Sequence, residues 1–245
     1  MKIGHAESSK HVIANVPYIW DGITPCCFLS SLRAILEFYD VKYSPSFLLN
    51  LSGFNYGFRY SKETTVAFAN PNPPLGPWQF MSYAAQKIGC KVDSFKDKPW
   101  DETWKLLKGY VDKDMPLYIT RLNMQHMWKV ARLLPHVVVL CGYDEERGVV
   151  MVHDPALGEV GERIQYLLPP NELPEGKTGN YAEYTIEDFR KACDFTGTPY
   201  QDFGKNAFAV IHPPTERPSI SWAEIMSRNA KLTLGQVEEV IGKHL

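Results

Sequence analysis

The chain has 245 residues, 44% of them hydrophobic and 22% charged, and its net charge is −2. This size and composition predict one sizeable globular domain and exclude a disordered chain. No long Lys/Arg run suggests nucleic-acid binding, and no apolar stretch approaches the roughly 20 residues of a membrane span. The start of the chain lacks the apolar core of a signal peptide, so we expect a cytoplasmic protein.

The predicted elements in chain order are a helix at about 25–39, helices at 44–51 and 78–88, a strand at 90–95, a helix at 101–111, strands at 116–121, 136–143, 148–154 and 163–168, a helix at 185–193 and a strand at 207–211. Helices followed by antiparallel strands predict an α+β fold. Beyond Pro213-Pro214, the spacing of Ser221 and Glu224 is that of a helix capping box. We therefore expect a main domain over residues 1–212 and a C-terminal helical extension over 213–245.

The hairpin predicted at 136–154 begins with His136 and ends with Asp154, on either side of a polar turn. A symmetric antiparallel pairing about residue 145 would put the two residues directly opposite each other, with their side chains on one face. A carboxylate in that position can hold an imidazole in one tautomer, as a general base requires. Alternation along the strand sends the neighbouring His153 to the opposite face.

The candidate nucleophile lies far upstream, where Thr24-Pro25 marks the start of a helix and Cys26 and Cys27 occupy its first turn. Unpaired N–H groups and the helix dipole favour a thiolate at this position. A cysteine at a helix start, with a distant His and Asp on a later hairpin, is the arrangement of papain-like enzymes. Periodicity does not decide which of the two cysteines leaves the buried face.

The cysteine content argues against other chemistries. Five cysteines without a Cys-x-x-Cys motif predict neither a disulfide framework nor a structural zinc site. No Gly-rich phosphate loop is present, and we expect no metal and no cofactor. A strained disulfide between the vicinal Cys26 and Cys27 is an alternative, redox interpretation. His126 lies in a segment with no clear periodicity, and we interpret it as non-catalytic.

Two blocks of sequence resemble the bacteriocin-leader (double-glycine) peptidase-like family and the N-terminal domain of the butirosin-biosynthesis acyltransferase family, both papain-like cysteine peptidase relatives. One block runs from Cys27 through Ser31-Leu32 to the aromatic helix end before Asp40. The other runs from His136 to Asp154-Pro155 and is the more specific. The resemblance spans roughly residues 12 to 212 and selects Cys27, because the following residues fall in register only from there.

The chain departs from the peptidase pattern at two positions. Phe28 follows the cysteine where the peptidases usually have Gly. Asp21 stands six residues before Cys27, where those peptidases place a Gln as oxyanion donor. An ionised carboxylate repels an oxyanion, so only the Cys27 backbone N–H is predicted as a donor.

The resemblance implies a papain-like α+β enzyme in which Cys27 is the nucleophile, His136 the general base and then acid, and Asp154 the residue that orients His136. The reaction would be acyl transfer through an S-acyl-enzyme. Our leading expectation is an amide-forming acyltransferase of specialised-metabolite biosynthesis with a thioester donor, such as an acyl carrier protein. The alternatives are a cysteine peptidase or amidase, and a catalytically inactive binding protein of the same fold. The expected partner is a small-molecule or peptide acyl substrate, and the oligomeric state is left open.

Overall fold

The structure is a computed structural model that describes residues 8–20, 26–53, 58–59, 67–68, 77–131, 133–158, 178–198, 204–215, 218, 220–231 and 234. The chain folds into two compact units. The first consists of Met1–Val41 and Asp93–Ile211, and the second of Lys42–Val92 and His212–Leu245. The strand predicted at 163–168 lies outside the described residues.

A seven-stranded sheet forms the centre of the first unit. Its strands are β1 (Lys10–Val12), β4 (Val92–Phe95), β5 (Leu117–Asn123), β6 (Pro135–Asp144), β7 (Val149–His153), β8 (Ala182–Thr185) and β9 (Phe208–Ile211). The order is β4-β9-β5-β6-β7-β8, and β1 pairs with the end of β6 that β5 leaves uncovered. The pairs of β6 with β1, β5 and β7 are all antiparallel. Strand β6 is therefore the middle of the sheet.

The helices of the first unit, apart from one short helix, lie close to their predicted positions. They are α1 (Cys27–Phe38), α4 (Trp100–Val111), α5 (Met124–Trp128) and α6 (Ile186–Ala192). The side chain of Thr185 accepts a hydrogen bond from Asp188 N, so the predicted cap of α6 is confirmed. The short helix α5 was not predicted, because five residues are too few for helical periodicity to show. No helix in the described part of the chain is long and apolar enough to cross a membrane.

The second unit contains the remaining elements. They are α2 (Pro45–Ser52), the short strands β2 (Phe58–Arg59) and β3 (Ala67–Phe68), α3 (Pro77–Lys87) and helical residues 222–231. Ser221 accepts a hydrogen bond from Glu224 N at 3.4 Å, as its capping-box spacing predicts. The guanidinium of Arg228 lies 3.9 Å from the ring centroid of Tyr83 and donates to Ser52 O at 2.7 Å. The segment after Pro213-Pro214 thus belongs to the same compact unit as residues 42–92.

The register of the β6–β7 hairpin differs from the symmetric pairing predicted from sequence. Val139 pairs with His153 and Leu140 with Val152, but Gly142 pairs with Met151, so Cys141 is an extra residue in β6. If the pairing of Val139 with His153 is continued by one residue, Asp154 lies opposite Val138. His136, two residues further along β6, is then the diagonal neighbour of Asp154. The prediction that His136 and Asp154 stand directly opposite is wrong by two positions. Because side chains alternate with period two, this error leaves both on the same face.

His153 is buried among aromatic rings, away from Asp154. Its Nδ1 lies 3.2 Å from Pro17 O, and its ring makes edge contacts with Tyr18 and Tyr181 at centroid distances of 5.6 and 4.5 Å. Only 2% of the residue is exposed, and Nε2 has no hydrogen-bond partner among the residues that the structure describes. Burial lowers the pKa of His153 to about 4, outweighing the bond to Pro17 O that raises it. His153 is therefore a neutral core residue at physiological pH.

We predict that His153 makes the fold sensitive to acid. The unfolded chain binds a proton at His153 below about pH 6.5, whereas the folded chain resists doing so down to about pH 4. The stability that the folded state has while His153 is neutral in both states is fully present above pH 6.5. It falls as the pH falls towards 4, and the loss in the free energy of unfolding is about 2 to 3 kcal/mol. Urea denaturation at pH 7.5 and 4.5 would measure the free energy of unfolding of the wild type and of His153→Phe. The difference between the two pH values should be smaller for the variant. Equal dependence in the two proteins would contradict this assignment.

Candidate active site

Cys27 is the first residue of α1, and Cys26 is the N-cap residue before it. The backbone of Cys26 has φ −127° and ψ 48°, and its side chain makes no capping hydrogen bond. Both cysteines are half-buried, and neither forms a disulfide, so the vicinal disulfide is not present in this structure. Cys27 therefore combines partial access with a position among the first N–H groups of a helix, which have no intrahelical acceptor.

Two hydrogen bonds tie the first turns of α1 to the sheet. Tyr118 on β5 donates its hydroxyl to Phe28 O at 3.0 Å, beside the candidate nucleophile. Ser31 donates to Val137 O at 3.4 Å, next to His136 on β6. Helix α1 packs against β6, and its buried face includes Leu32 and Ile35, both fully buried. The start of the helix is thus anchored to the strand that carries the imidazole.

His136 lies between Cys27 and Asp154. Its Nε2 is 2.8 Å from Asp154 Oδ1, and His136 and Asp154 are 5% and 0% exposed. The imidazole also has a side-chain hydrogen bond and an electrostatic interaction with Cys27. Because Nε2 faces the carboxylate, Nδ1 is the nitrogen left for the thiol. The structure therefore brings together the three residues that the sequence singles out.

The charges at this site favour an imidazolium. Burial lowers the pKa of His136, but the negative charges of Asp154 and of a Cys27 thiolate, with the hydrogen bonds that the imidazole donates to each, raise it well above its usual range. Burial raises the pKa of Asp154, but the charge of His136 and hydrogen bonds from His136, Trp128 and the Ala156 backbone lower it below its usual range. Asp154 is thus a buried carboxylate that stays ionised.

Every oxygen of Asp154 has two donors. Oδ1 accepts from His136 Nε2 and, at 3.1 Å, from Ala156 N. Oδ2 accepts from Trp128 Nε1 at 2.9 Å and from the Tyr184 hydroxyl at 3.1 Å. Trp128 ends α5 and Tyr184 lies on β8, and sequence reasoning missed both. No sequence motif marks either residue, because an aromatic residue beside an apolar segment is usually interpreted as part of the hydrophobic core.

The other candidates lie elsewhere. His153 faces a different set of residues, and His126 lies on α5 and is not among the described residues that hydrogen-bond to His136 or Asp154. Burial raises the pKa of Cys90 to about 11 and raises those of Cys141 and Cys193 further. In the described part of the chain, no group of three or more His, Cys, Asp or Glu residues could hold a metal ion. Asp21, the predicted obstacle to an oxyanion, lies outside the described residues.

We predict that Asp154→Asn lowers the pKa of His136, because the variant removes the charge that opposes desolvation. In the wild type, the raised pKa contributes stability that is fully present below about pH 6.5 and is lost as the pH rises through the folded value. Histidine side-chain NMR titration would measure the shift, with the other histidines as internal references. An unchanged His136 titration would contradict the proposed origin of the shift.

Two solved structures, each 17% identical, are similar to this chain. One is a protein described as a C39-like peptidase from Bacillus anthracis, with 82% of this chain and 96% of that chain covered at a TM-score of 0.49. The other is the peptidase domain of Streptococcus ComA, a bifunctional ABC transporter of a quorum-sensing pathway, with 81% and 98% covered at 0.44.

A comparison with curated proteins finds no match. The sequence model of the Peptidase_C39 like family matches residues 10–169, which include Cys27, His136 and Asp154. The α+β fold expected from the sequence is confirmed, with the Cys-bearing helix packed on an antiparallel sheet that carries His136. This match covers more than half of the chain, and the chain therefore belongs to the Peptidase_C39 like family.

Proposed function

We propose that the chain is a cysteine peptidase or amidase that acts by acyl transfer through Cys27. The observation that carries the proposal is the contact of His136 with both Cys27 and the buried Asp154 carboxylate. Family membership supports a cysteine peptidase type of activity. A buried imidazole between a half-exposed thiol at a helix start and an ionised carboxylate is suited to nucleophilic catalysis.

We infer that proton transfer from Cys27 to His136 gives an ion pair before the attack. The raised pKa of His136 favours the protonated imidazole near neutral pH, so the imidazole is suited to take the proton of the thiol. His136 therefore acts in this mechanism as a base towards Cys27 and then as an acid towards the leaving group, the order expected from the sequence.

The reaction then follows in two steps. The Cys27 thiolate attacks the carbonyl carbon of a peptide or amide, and the Cys27 backbone N–H at the start of α1 donates to the oxyanion. His136 gives its proton to the leaving amine as the C–N bond breaks, which leaves an S-acyl-enzyme. Water attacks the thioester while His136 takes a proton from it, and collapse releases the carboxylic acid and restores the ion pair.

The acceptor of the acyl group separates this function from the transferase expected from sequence. An amine in place of water would form an amide by the same second step. The expectation of a thioester donor on a carrier protein in specialised-metabolite biosynthesis has no support in the comparisons, so the hydrolase is our primary proposal. A binding protein without turnover is the remaining alternative, and its basis is the Asp21 substitution.

We expect Cys27 to react with iodoacetamide at pH 6 at least about tenfold faster than a reference thiol, because little of an ordinary cysteine is ionised there. Peptide mapping by mass spectrometry would assign the modified site. His136→Asn should remove the advantage, and Cys26→Ala, a matched thiol deletion one residue away, should retain it. A Cys27 that reacts at pH 6 no faster than the reference thiol would contradict the hypothesis that Cys27 is an activated nucleophile.

We expect the acyl-enzyme to be discharged by water. Incubation with activated peptide and thioester donors, followed by intact-mass measurement, should show an acyl adduct that is absent in Cys27→Ala. Its decay should not accelerate when amines are added at fixed pH. Decay that needs an amine, with little hydrolysis, would replace the hydrolase with the transferase. The absence of any adduct from a reactive Cys27 would favour the binding protein.

A further inference from the structure

Trp128 and Tyr184 together hold the side of Asp154 that points away from His136. Both donate to Oδ2, at 2.9 and 3.1 Å, whereas His136 contacts Oδ1. A carboxylate can turn about its Cβ–Cγ bond, and hydrogen bonds to Oδ2 fix that rotation. They therefore also fix the direction in which Oδ1 faces the imidazole.

The two donors belong to elements that are bound to each other. Trp128 is the last residue of α5, and Lys129 follows it in the left-handed region with φ 57°. Lys129 forms an ion pair with Asp188, in the first turn of α6, and α6 directly follows the strand that carries Tyr184. Helices α5 and α6 also pack against each other, so the indole N–H and the phenol hydroxyl belong to contacting parts of the first unit.

The chemistry of both side chains suits this role. Burial, followed by the charge of Asp154, raises the pKa of Tyr184 well above its usual range, so the phenol stays neutral and donates. The indole of Trp128 can only donate, and its ring lies 5.4 Å from that of His136 at 51°. The residues are 5% and 3% exposed, so water does not compete freely for Oδ2.

We propose that Trp128 and Tyr184 are positioning residues that act on the thiol through Asp154. They touch neither the nucleophile nor the reacting carbonyl in the proposed mechanism. Without them the carboxylate turns, its contact with His136 Nε2 weakens, and fewer molecules hold the thiolate–imidazolium pair. This inference rests on the proposed function, because it assumes that Cys27 is activated by His136.

The test is the rate of Cys27 alkylation at pH 6 in Tyr184→Phe and Trp128→Phe. Each variant removes one donor and keeps an aromatic ring, and each should react about three- to tenfold more slowly than the wild type, the range expected for one hydrogen bond. Tyr181→Phe is the matched control, because Tyr181 donates to Ile13 O and not to Asp154. Its rate should equal that of the wild type.

The same substitutions in an Asp154→Ala background, which has no acceptor for either donor, separate positioning from general damage. If the two residues act through the carboxylate, Tyr184→Phe and Trp128→Phe have no further effect once it is gone. An equal loss in both backgrounds, or no loss in the wild-type background, would overturn the proposal. A wild-type Cys27 that is unreactive at pH 6 would instead overturn the proposed function, so the two failures are distinguishable. Thermal melts confirm that each variant is folded. If Trp128→Phe is unfolded, the rate measured for Tyr184→Phe, the smaller change, decides the test.

Discussion

The carboxylate of Asp154 is completely buried, and a charge taken out of water must be matched by partners within the protein. Those partners come from four parts of the first unit: His136 on β6, Trp128 on α5, Tyr184 on β8 and the turn that contains Ala156. Satisfying one anion therefore fixes the relative placement of two strands, a helix and a turn. The same requirement makes the site rigid before any substrate arrives.

Strand β6 connects this anion to the nucleophile. It pairs with β5 and β1 along one edge and β7 along the other, and α1 packs on it. The hydrogen bonds of Tyr118 and Ser31 hold the start of α1 against the sheet. A thiol at a helix start has useful access only if that start is held still, and here the core of the sheet supplies the restraint. The contacts that pack α1 on the sheet thus also hold the nucleophile in place.

Much of this arrangement could be predicted from the sequence. Apolar periodicity located α1, and alternation along the hairpin separated His153 from Asp154, because both are local patterns. The bulge at Cys141 could not be foreseen, since its sequence is an uninterrupted apolar run. Trp128 and Tyr184 were missed for a different reason. Their role comes from meeting at one oxygen across 56 residues of chain, and no spacing rule encodes that meeting.

Cys141 has a consequence beyond its burial. As the extra residue of a bulge, it is absorbed without a partner, so the residues on both sides of it keep partners on β7. If Cys141 instead paired regularly with Val152, the outer half of β6 would shift by one residue, and His136 would turn away from the face that carries Asp154. A relative with one residue fewer at this point could pair regularly with β7 and keep the same facing residues. A one-residue gap here is therefore compatible with the same site when divergent relatives are aligned.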